Sequence, residues 1–457
     1  MMRALTLQEL QAPLSATLCG GDAELRGVST DSRKVGPGEL FVALKGDSFD
    51  GHDYIAQVEA AGASALLVSA AVASGLPQLQ VDDSQRALGL LGAYNRQLYT
   101  GPLVAITGSS GKTTVKNMVH AVLSQRGNTL ATDGNFNNEI GVPLTLLRLA
   151  PEHEFAVVEM GAAKGGDIDW LCQLGRPTIA LLLNAMAAHL EGFGSIDDVA
   201  AAKGEIFDGL GKGDVAVINA DQHYARQWRK RAGDATIIDF GVEQPAAISA
   251  SSIQSQGVQG VGFTASTPAG DIAIRLGLPG VHNVANALAA IAVGLACELS
   301  LTEIRDGLES LAPVQGRLRS LRGASGATVI DDCYNANPGS VRAAIDMLAS
   351  CSGRRTLMLG AMRELGADSD AMHAEIGEYA QQEGLDQLWG VGPEAVSTVA
   401  AFGAGGRHFV SNEEAIAALA TEAFNDSDTV LVKGSRGARM EQVMDALLAV
   451  ENTGGTH

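Results

Sequence analysis

This 457-residue chain is poor in aromatic side chains, at 4%, and rich in glycine, at 55 residues. Tight turns and small-residue contacts between helices and sheets account for both, and an α/β protein needs both. Cysteine is sparse: Cys19, Cys172, Cys297, Cys333 and Cys351 are scattered, odd in number and form no Cys-x-x-Cys pair. That excludes a zinc ribbon or a disulfide framework and fits a reducing cytosol. Positive charge is also short: 32 Lys and Arg against 52 Asp and Glu leave a net charge of −20. A polyanion such as nucleic acid would be repelled by that field. A small anionic substrate remains compatible if local lysines and arginines gather to hold it. Long apolar runs are missing. The stretch 62–77 is short and broken by Ser and Gly, and Gln8, Glu9 and Gln11 interrupt any signal-peptide core. The expectation is a soluble cytoplasmic protein with no membrane insertion.

Against these absences stands one dense motif. Leu103-Val-Ala-Ile-Thr-Gly-Ser-Ser-Gly-Lys-Thr-Thr114 reads as a buried strand, a glycine-bracketed turn and the start of a helix. Small residues there let backbone N–H groups approach an anion at a helix N-terminus. Gly108, Ser109, Ser110, Gly111 and Thr114 would line such a cradle; Lys112 can reach outer phosphates and the Thr113 hydroxyl can ligate Mg²⁺. The usual phosphate loop would have glycine at Ile106, whereas here the first glycine is Gly108. An ordinary Gly/Ser strand-to-helix turn is the alternative.

The length exceeds what one core fills, and a hydrophobic content of 46% supports a sizeable interior. Residues 1–100 show short strand-like runs and a helical connector. Residues 101–312 alternate buried strands with helices, as in a parallel sheet covered on both faces, and 257–276 look like an antiparallel addition. Residues 313–457 repeat the α/β rhythm. Ligands of open α/β sheets lie outside the carboxyl ends of the strands, and the polar clusters fall at such ends.

Glu159 closes the strand Phe155-Ala-Val-Val-Glu159; it reads equally as a Mg²⁺ ligand and as a capping or solvated carboxylate. His189 follows another strand and reads as a structural histidine or a metal ligand. Lys203, on the helix beyond, reads by default as a solvated surface lysine. His282, Asn283 and Asn286 open a helix: capping explains one Asn, and two suggest a polar ligand. Asp331, Asp332, Tyr334, Asn335 and Asn337 crowd one strand end before a helix begun at Pro338. Leu359-Gly-Ala-Met-Arg-Glu-Leu-Gly366 and Lys433-Gly-Ser-Arg-Gly-Ala-Arg-Met-Glu441 are further strand-end loops. The second is expected to put Lys433, Ser435 and Arg436 at a helix N-terminus suited to a carboxylate or phosphate.

Together these segments resemble the Mur ligases, ATP-dependent peptide-bond-forming enzymes of bacterial cell-wall precursor synthesis. The resemblance runs from Thr30-Asp-Ser-Arg33 to Lys433-Gly-Ser-Arg436 and includes the Thr-Gly-x-x-Gly-Lys-Thr-Thr form of the loop. Asn137-Asn-Glu-Ile-Gly-Val-Pro143, His189-Leu-Glu-Gly-Phe-Gly-Ser195 and Asp331-Asp-Cys-Tyr-Asn-Ala-Asn-Pro338 are similar to the D-alanyl-D-alanine-adding branch. The Asp-Asn-Pro-Arg motif of the diaminopimelate-adding branch is absent, and no motif position departs from the family's pattern.

The resemblance implies three domains: a small α/β domain for the UDP-sugar, a central parallel-sheet ATPase domain with the phosphate loop, and a Rossmann-like C-terminal domain that closes on both. It implies that Ser32, Arg33 and Lys45 grip the UDP-muramoyl part and that Asn137, Asn138, Asn335 and Asn337 line substrate. Lys112 would bind the β- and γ-phosphates. Thr113 and Glu159 would hold one Mg²⁺, and His189 a second, bridged by Lys203 carried as a carbamate. Asn283, Asn286, Arg317 and Asp332 would contact ATP, and Lys433, Ser435 and Arg436 would anchor the donor's carboxylate. The implied substrates are ATP, UDP-N-acetylmuramoyl-tripeptide and D-alanyl-D-alanine, used by a monomer through an acyl phosphate. A nucleotide-driven switch, a scaffold with a decayed site and another amino-acid-adding Mur ligase are the competing readings. The first two give no role to the polar clusters or to the intact lysines.

Overall fold

Three large sheets, each built from a contiguous stretch of chain, divide the protein into three α/β units, and a short antiparallel pair, Leu5–Thr6 with Glu24–Leu25, accompanies the first. The computed structural model describes residues 2–46, 48–188 and 190–449.

In the N-terminal unit the strand order is Thr17–Cys19, Gln78–Gln80, Ala65–Val68, Glu39–Val42 and Gly27–Ser29. The pairs are parallel except for the first. The fully buried run Ala65–Val68 was legible in sequence; Thr17–Cys19 and Gly27–Ser29 were not, because three residues carry no period.

The central sheet has nine strands. Leu103–Thr107 lies inside it, third from the Thr129–Ala131 edge, parallel to Phe155–Glu159 on one side and Ile179–Leu182 on the other. All five residues of Leu103–Thr107 are buried, as expected of a strand covered on both faces. One covering layer includes the helices Lys112–Leu123, His282–Ala296 and Leu301–Glu309; the opposite layer includes Asp167–Gly175, Ile196–Gly204 and Ala225–Arg231. The expected antiparallel addition is the hairpin Val261–Thr267 with Gly270–Leu276. It continues through Ile248–Ser255, which sequence did not single out because its residues are mostly polar and its register breaks between Ser251 and Gln254.

The C-terminal sheet runs Arg319–Arg322, Thr328–Asp332, Thr429–Lys433, Arg355–Gly360, Gln387–Val391, Gly406–Phe409, parallel apart from its first strand. Leu301–Glu309 starts with a capping box between Ser300 and Glu303, and Pro338–Ala349 with one between Asn337 and Ser340 and Pro338 in the first turn. No helix among the described residues is long and apolar enough to cross a membrane.

Parallel strands end at one edge. Register places Glu159 beside Ile106 and Leu182 beside Thr107, so the loops after these strands meet. In the C-terminal sheet Asp332 is level with Lys433, and Leu359 with Lys433. The two carboxyl edges face one cleft of about 1050 Å³.

Candidate active site

The phosphate-loop sequence folds as its residues dictate. Thr107 ends the buried strand and Lys112 starts the helix. Gly111 between them has φ +83°, a conformation side chains resist, and a Cβ there would lie 2.9 Å from Asn286 Oδ1. Glycine is therefore required by conformation and by the close approach of the neighbouring helix. The Lys112 ammonium donates to the Gly108 carbonyl at 2.6 Å, folded back over the loop. The crest is clamped from the adjacent strand end. Asn184 Oδ1 accepts from Ser110 N at 2.9 Å, its Nδ2 donates to Ser110 O at 3.1 Å, and its carbonyl accepts from Ser109 N at 3.1 Å. Sequence reading passed over Asn184; its signal was position alone, the first polar residue after a buried strand.

Beside the loop, the Thr113 hydroxyl donates to Glu159 Oε2 at 2.8 Å, and Asn137 Nδ2 donates to Glu159 Oε1 at 2.7 Å. Glu159 is 2% exposed, which removes the capping and solvated readings. Its own amide donates to Thr132 Oγ1, and Lys116 Nζ donates to the Thr132 carbonyl at 2.7 Å. Asn138 Oδ1 accepts from Gly141 N at 2.9 Å, where the helix Gly141–Leu147 begins.

Lys203 corrects the default expectation of a solvated lysine. It is 1% exposed, packed with its ammonium 5.8 Å from the Phe193 ring centroid. Burial, with the Lys112 charge nearby, holds its pKa well below the usual lysine value. Burial also lowers Lys112 and Lys116, against the pull of Glu159. Lys112, Lys116 and Arg317 thus gather around Glu159, with Lys203 near Lys112, a local cationic field in a chain of net charge −20. His189 lies outside the described residues.

Asn283 and Asn286 do not cap their helix, contrary to the capping half of the expectation. Asn283 Nδ2 donates to the Pro279 carbonyl and Asn286 Nδ2 to Asn283 Oδ1, while the helix has no side-chain cap. Both line the cleft, as does His282, whose pKa burial lowers to about 4.

The opposite wall comes from the C-terminal sheet. Arg317 crosses the gap: its Nη2 donates to Thr113 Oγ1 at 2.9 Å while the guanidinium lies 4.2 Å from the Tyr334 ring centroid. Asp331 pins the linker, its Oδ2 accepting from Gly316 N. Asp332 and Lys433 form a buried pair at 2.5 Å, and Lys433 also donates to the Asn335 carbonyl. Burial raises the Asp332 carboxyl and Lys433 draws it back down.

Two expectations change here. Lys433 is 3% exposed and already neutralised, and the Ser435 hydroxyl is held between the Ala336 carbonyl and the Arg363 amide. Neither is a free anchor; Ser435 stands at the start of a single 3₁₀ turn, Arg436–Ala438, and the α-helix begins only at Glu441. Arg436 stays exposed, 3.6 Å from Glu441. Asn337 Oδ1 caps its helix by accepting from Ser340 N, and Asn335 Oδ1 accepts from Ala336 N. Ser32, Arg33 and Lys45 lie apart, in the N-terminal unit. Arg33 is paired with Asp31 and Lys45 approaches Asp50 at 3.8 Å.

The family pattern described as Mur ligase family, catalytic domain matches residues 24–95. That of the Mur ligase middle domain matches 106–294, and that of the Mur ligase glutamate ligase domain 316–436. The UDP-N-acetylmuramoyl-tripeptide–D-alanyl-D-alanine ligase of Escherichia coli is 46% identical over 448 residues, covering 98% of this chain and 99% of that protein. The protein of that name in Bacillus subtilis is 33% identical, with 97% and 98% covered. A crystal structure of MurF from Acinetobacter baumannii superposes with a TM-score of 0.94 at 36% identity, over 98% of this chain and 100% of that one. MurF from Thermotoga maritima in complex with ADP superposes at 0.82 with 29% identity, over 92% and 97%.

Proposed function

The chain belongs to the Mur ligase family, and from that premise we propose how its cleft performs the family's chemistry. The protein is an ATP-dependent ligase that joins D-alanyl-D-alanine to UDP-N-acetylmuramoyl-tripeptide in peptidoglycan precursor synthesis. The observation that carries the mechanism is the meeting of Thr113, Glu159 and Arg317 at the mouth of the phosphate loop.

A carboxylate is a poor electrophile. An oxygen of the tripeptide's terminal carboxylate attacks the γ-phosphorus of ATP, and ADP leaves. The amine of the dipeptide then attacks the acyl carbon, a proton is lost, and inorganic phosphate departs with the C–O bond it held. Lys112 stabilises charge on the β- and γ-phosphoryl oxygens, and the backbone of residues 108–114 cradles them. Arg317, delivered from the other wall, completes the charge cage as the domains close and keeps water from the acyl phosphate. Asn283 and Asn286 orient the nucleotide, and Asn137 holds the Glu159 carboxylate in place.

Mg²⁺ fits the donors present. A hydroxyl and a carboxylate oxygen lie side by side at Thr113 and Glu159, and no cluster of three His, Cys, Asp or Glu gathers among the described residues. One carboxylate plus substrate phosphates is the usual Mg²⁺ arrangement. When bound, Mg²⁺ supplies neutralisation of phosphoryl charge. His189 would hold a second ion. The low basicity of Lys203 supports its conversion to a carbamate: the neutral amine bonds to the carbon of CO₂, loses a proton and becomes an anionic oxygen donor. We place the UDP-muramoyl part in the N-terminal unit, at Ser32, Arg33 and Lys45. We assign the dipeptide to the loops 359–366 and 433–437, with exposed Arg436 as its carboxylate partner. The units acting in this way are 1–100, 101–312 and 313–457, in a cytoplasmic monomer.

The test is a coupled phosphate-release assay with UDP-muramoyl-tripeptide and D-alanyl-D-alanine, run beside UDP-muramoyl-dipeptide with free diaminopimelate or lysine. Product from the first combination and little from the second is expected; the reverse would overturn the donor assignment.

A further inference from the structure

The loop 361–363 is fixed by Ser435, which lines the cleft, and by His373, which lies behind it. Ser435 brackets it, its amide donating to the Ala361 carbonyl at 3.0 Å and its Oγ accepting from Arg363 N at 2.9 Å. The amide between them, Met362 N, donates to His373 Nε2 at 3.1 Å. His373 sits on the helix Ser369–Gln382 and is 0% exposed. Its Nδ1 lies 2.8 Å from the Ser369 carbonyl. A carbonyl only accepts and a backbone amide only donates, so Nδ1 carries the proton and Nε2 presents its lone pair. The ring is a neutral bridge with both nitrogens satisfied.

This hold has a consequence across the cleft. With residues 361–363 pinned, the next carbonyl, Glu364 O, accepts from Leu190 N of the central unit at 3.0 Å. Glu364 has φ +64°, a conformation a non-glycine residue keeps only when its surroundings impose it. The imposed turn follows the His373 contact by two residues.

We propose that His373 is a positioning residue for the amine donor: from behind the cleft wall it sets the loop 361–364, so that donor site and interdomain contact form together. This rests on the assignment of loop 359–366 to the dipeptide. Leucine at 373 fills the volume and removes the acceptor; glutamine keeps an acceptor of similar reach.

The full-length enzyme should show a KM for D-alanyl-D-alanine raised about tenfold in His373→Leu, the effect of one lost buried hydrogen bond. The KM values for ATP and UDP-muramoyl-tripeptide should stay within about twofold, and His373→Gln should recover most of the loss. An unchanged donor KM, or an equal rise for all three substrates, overturns the proposal. Should His373→Leu fail to fold, amide exchange in the wild-type protein decides. Met362 N–H is expected to exchange as slowly as the amides of Ser369–Gln382, and exchange at an unprotected rate overturns the hold on the loop. A wild-type enzyme that does not use D-alanyl-D-alanine would instead overturn the donor assignment itself, leaving the Met362 exchange to report on the histidine.

Discussion

Arg317 and Thr113 belong to different walls of the cleft, yet the guanidinium donates directly to the hydroxyl that also donates to Glu159. Arg317 thus reaches the helix start of the phosphate loop from the opposite wall, as the proposed charge cage requires. Arg317→Ala is expected to lower kcat by about 10²- to 10³-fold, the range for losing one preorganised charge-stabilising donor, with Tm little changed. Arg317→Lys should do nearly as badly, because lysine cannot both stack on Tyr334 and reach Thr113 in a planar fork. Steady-state phosphate release measures both, and a kcat near wild type in either variant would remove Arg317 from the charge cage.

Lys203 is expected to be indispensable for its chemistry rather than its packing. Lys203→Ala should lose most ligation, and acetate or formate should restore part of it by supplying the missing oxygen donor. Wild-type enzyme stripped of CO₂ should slow and recover on adding bicarbonate. Full activity in rigorously CO₂-free buffer would refute the carbamate.

Asn184 should matter to nucleotide and not to the UDP-sugar. Asn184→Ala removes two side-chain hydrogen bonds from the loop crest, at roughly 1 kcal/mol each, so ADP affinity should fall about 30-fold. Calorimetric titration with ADP and with UDP-muramoyl-tripeptide distinguishes this from general damage: parallel weakening of both would count against a clamp on the loop.

Glu303 gives a pH signature. Its pairing with Arg126 and the Ser300 capping contacts bring its pKa down from 4.5 to about 2. The folded form binds its proton less readily than the unfolded chain. The pairing therefore stabilises fully above about pH 4.5 and is lost as pH falls toward 2. Glu303→Gln should have a lower Tm than wild type at pH 7, with the gap closing below pH 4. Thermal melts across that range check it, and a gap independent of pH would be contrary.

The phosphate loop was legible because strand, glycines and lysine share one short segment. The order of α/β units was legible from buried runs such as Leu103–Thr107. What sequence misjudged depends on contacts between segments far apart in the chain. Lys203 looks solvated until the helix Ile196–Gly204 is packed under the sheet. Lys433 looks free until Asp332, 101 residues away, is set beside it by strand register. Asn337 spends its oxygen capping Pro338–Ala349 while still lining the cleft. His373 and Asn184 act through the backbone of other loops, and no local pattern encodes that.

The phosphate loop and the loops of the opposite wall hang from separate sheets joined through a linker that Asp331 pins at Gly316. Each sheet keeps its own hydrophobic interior. The loops after Arg355–Gly360 and Thr429–Lys433 can therefore change without disturbing the interior of the central sheet, and the Glu364–Leu190 contact is where such a change would be felt across the cleft.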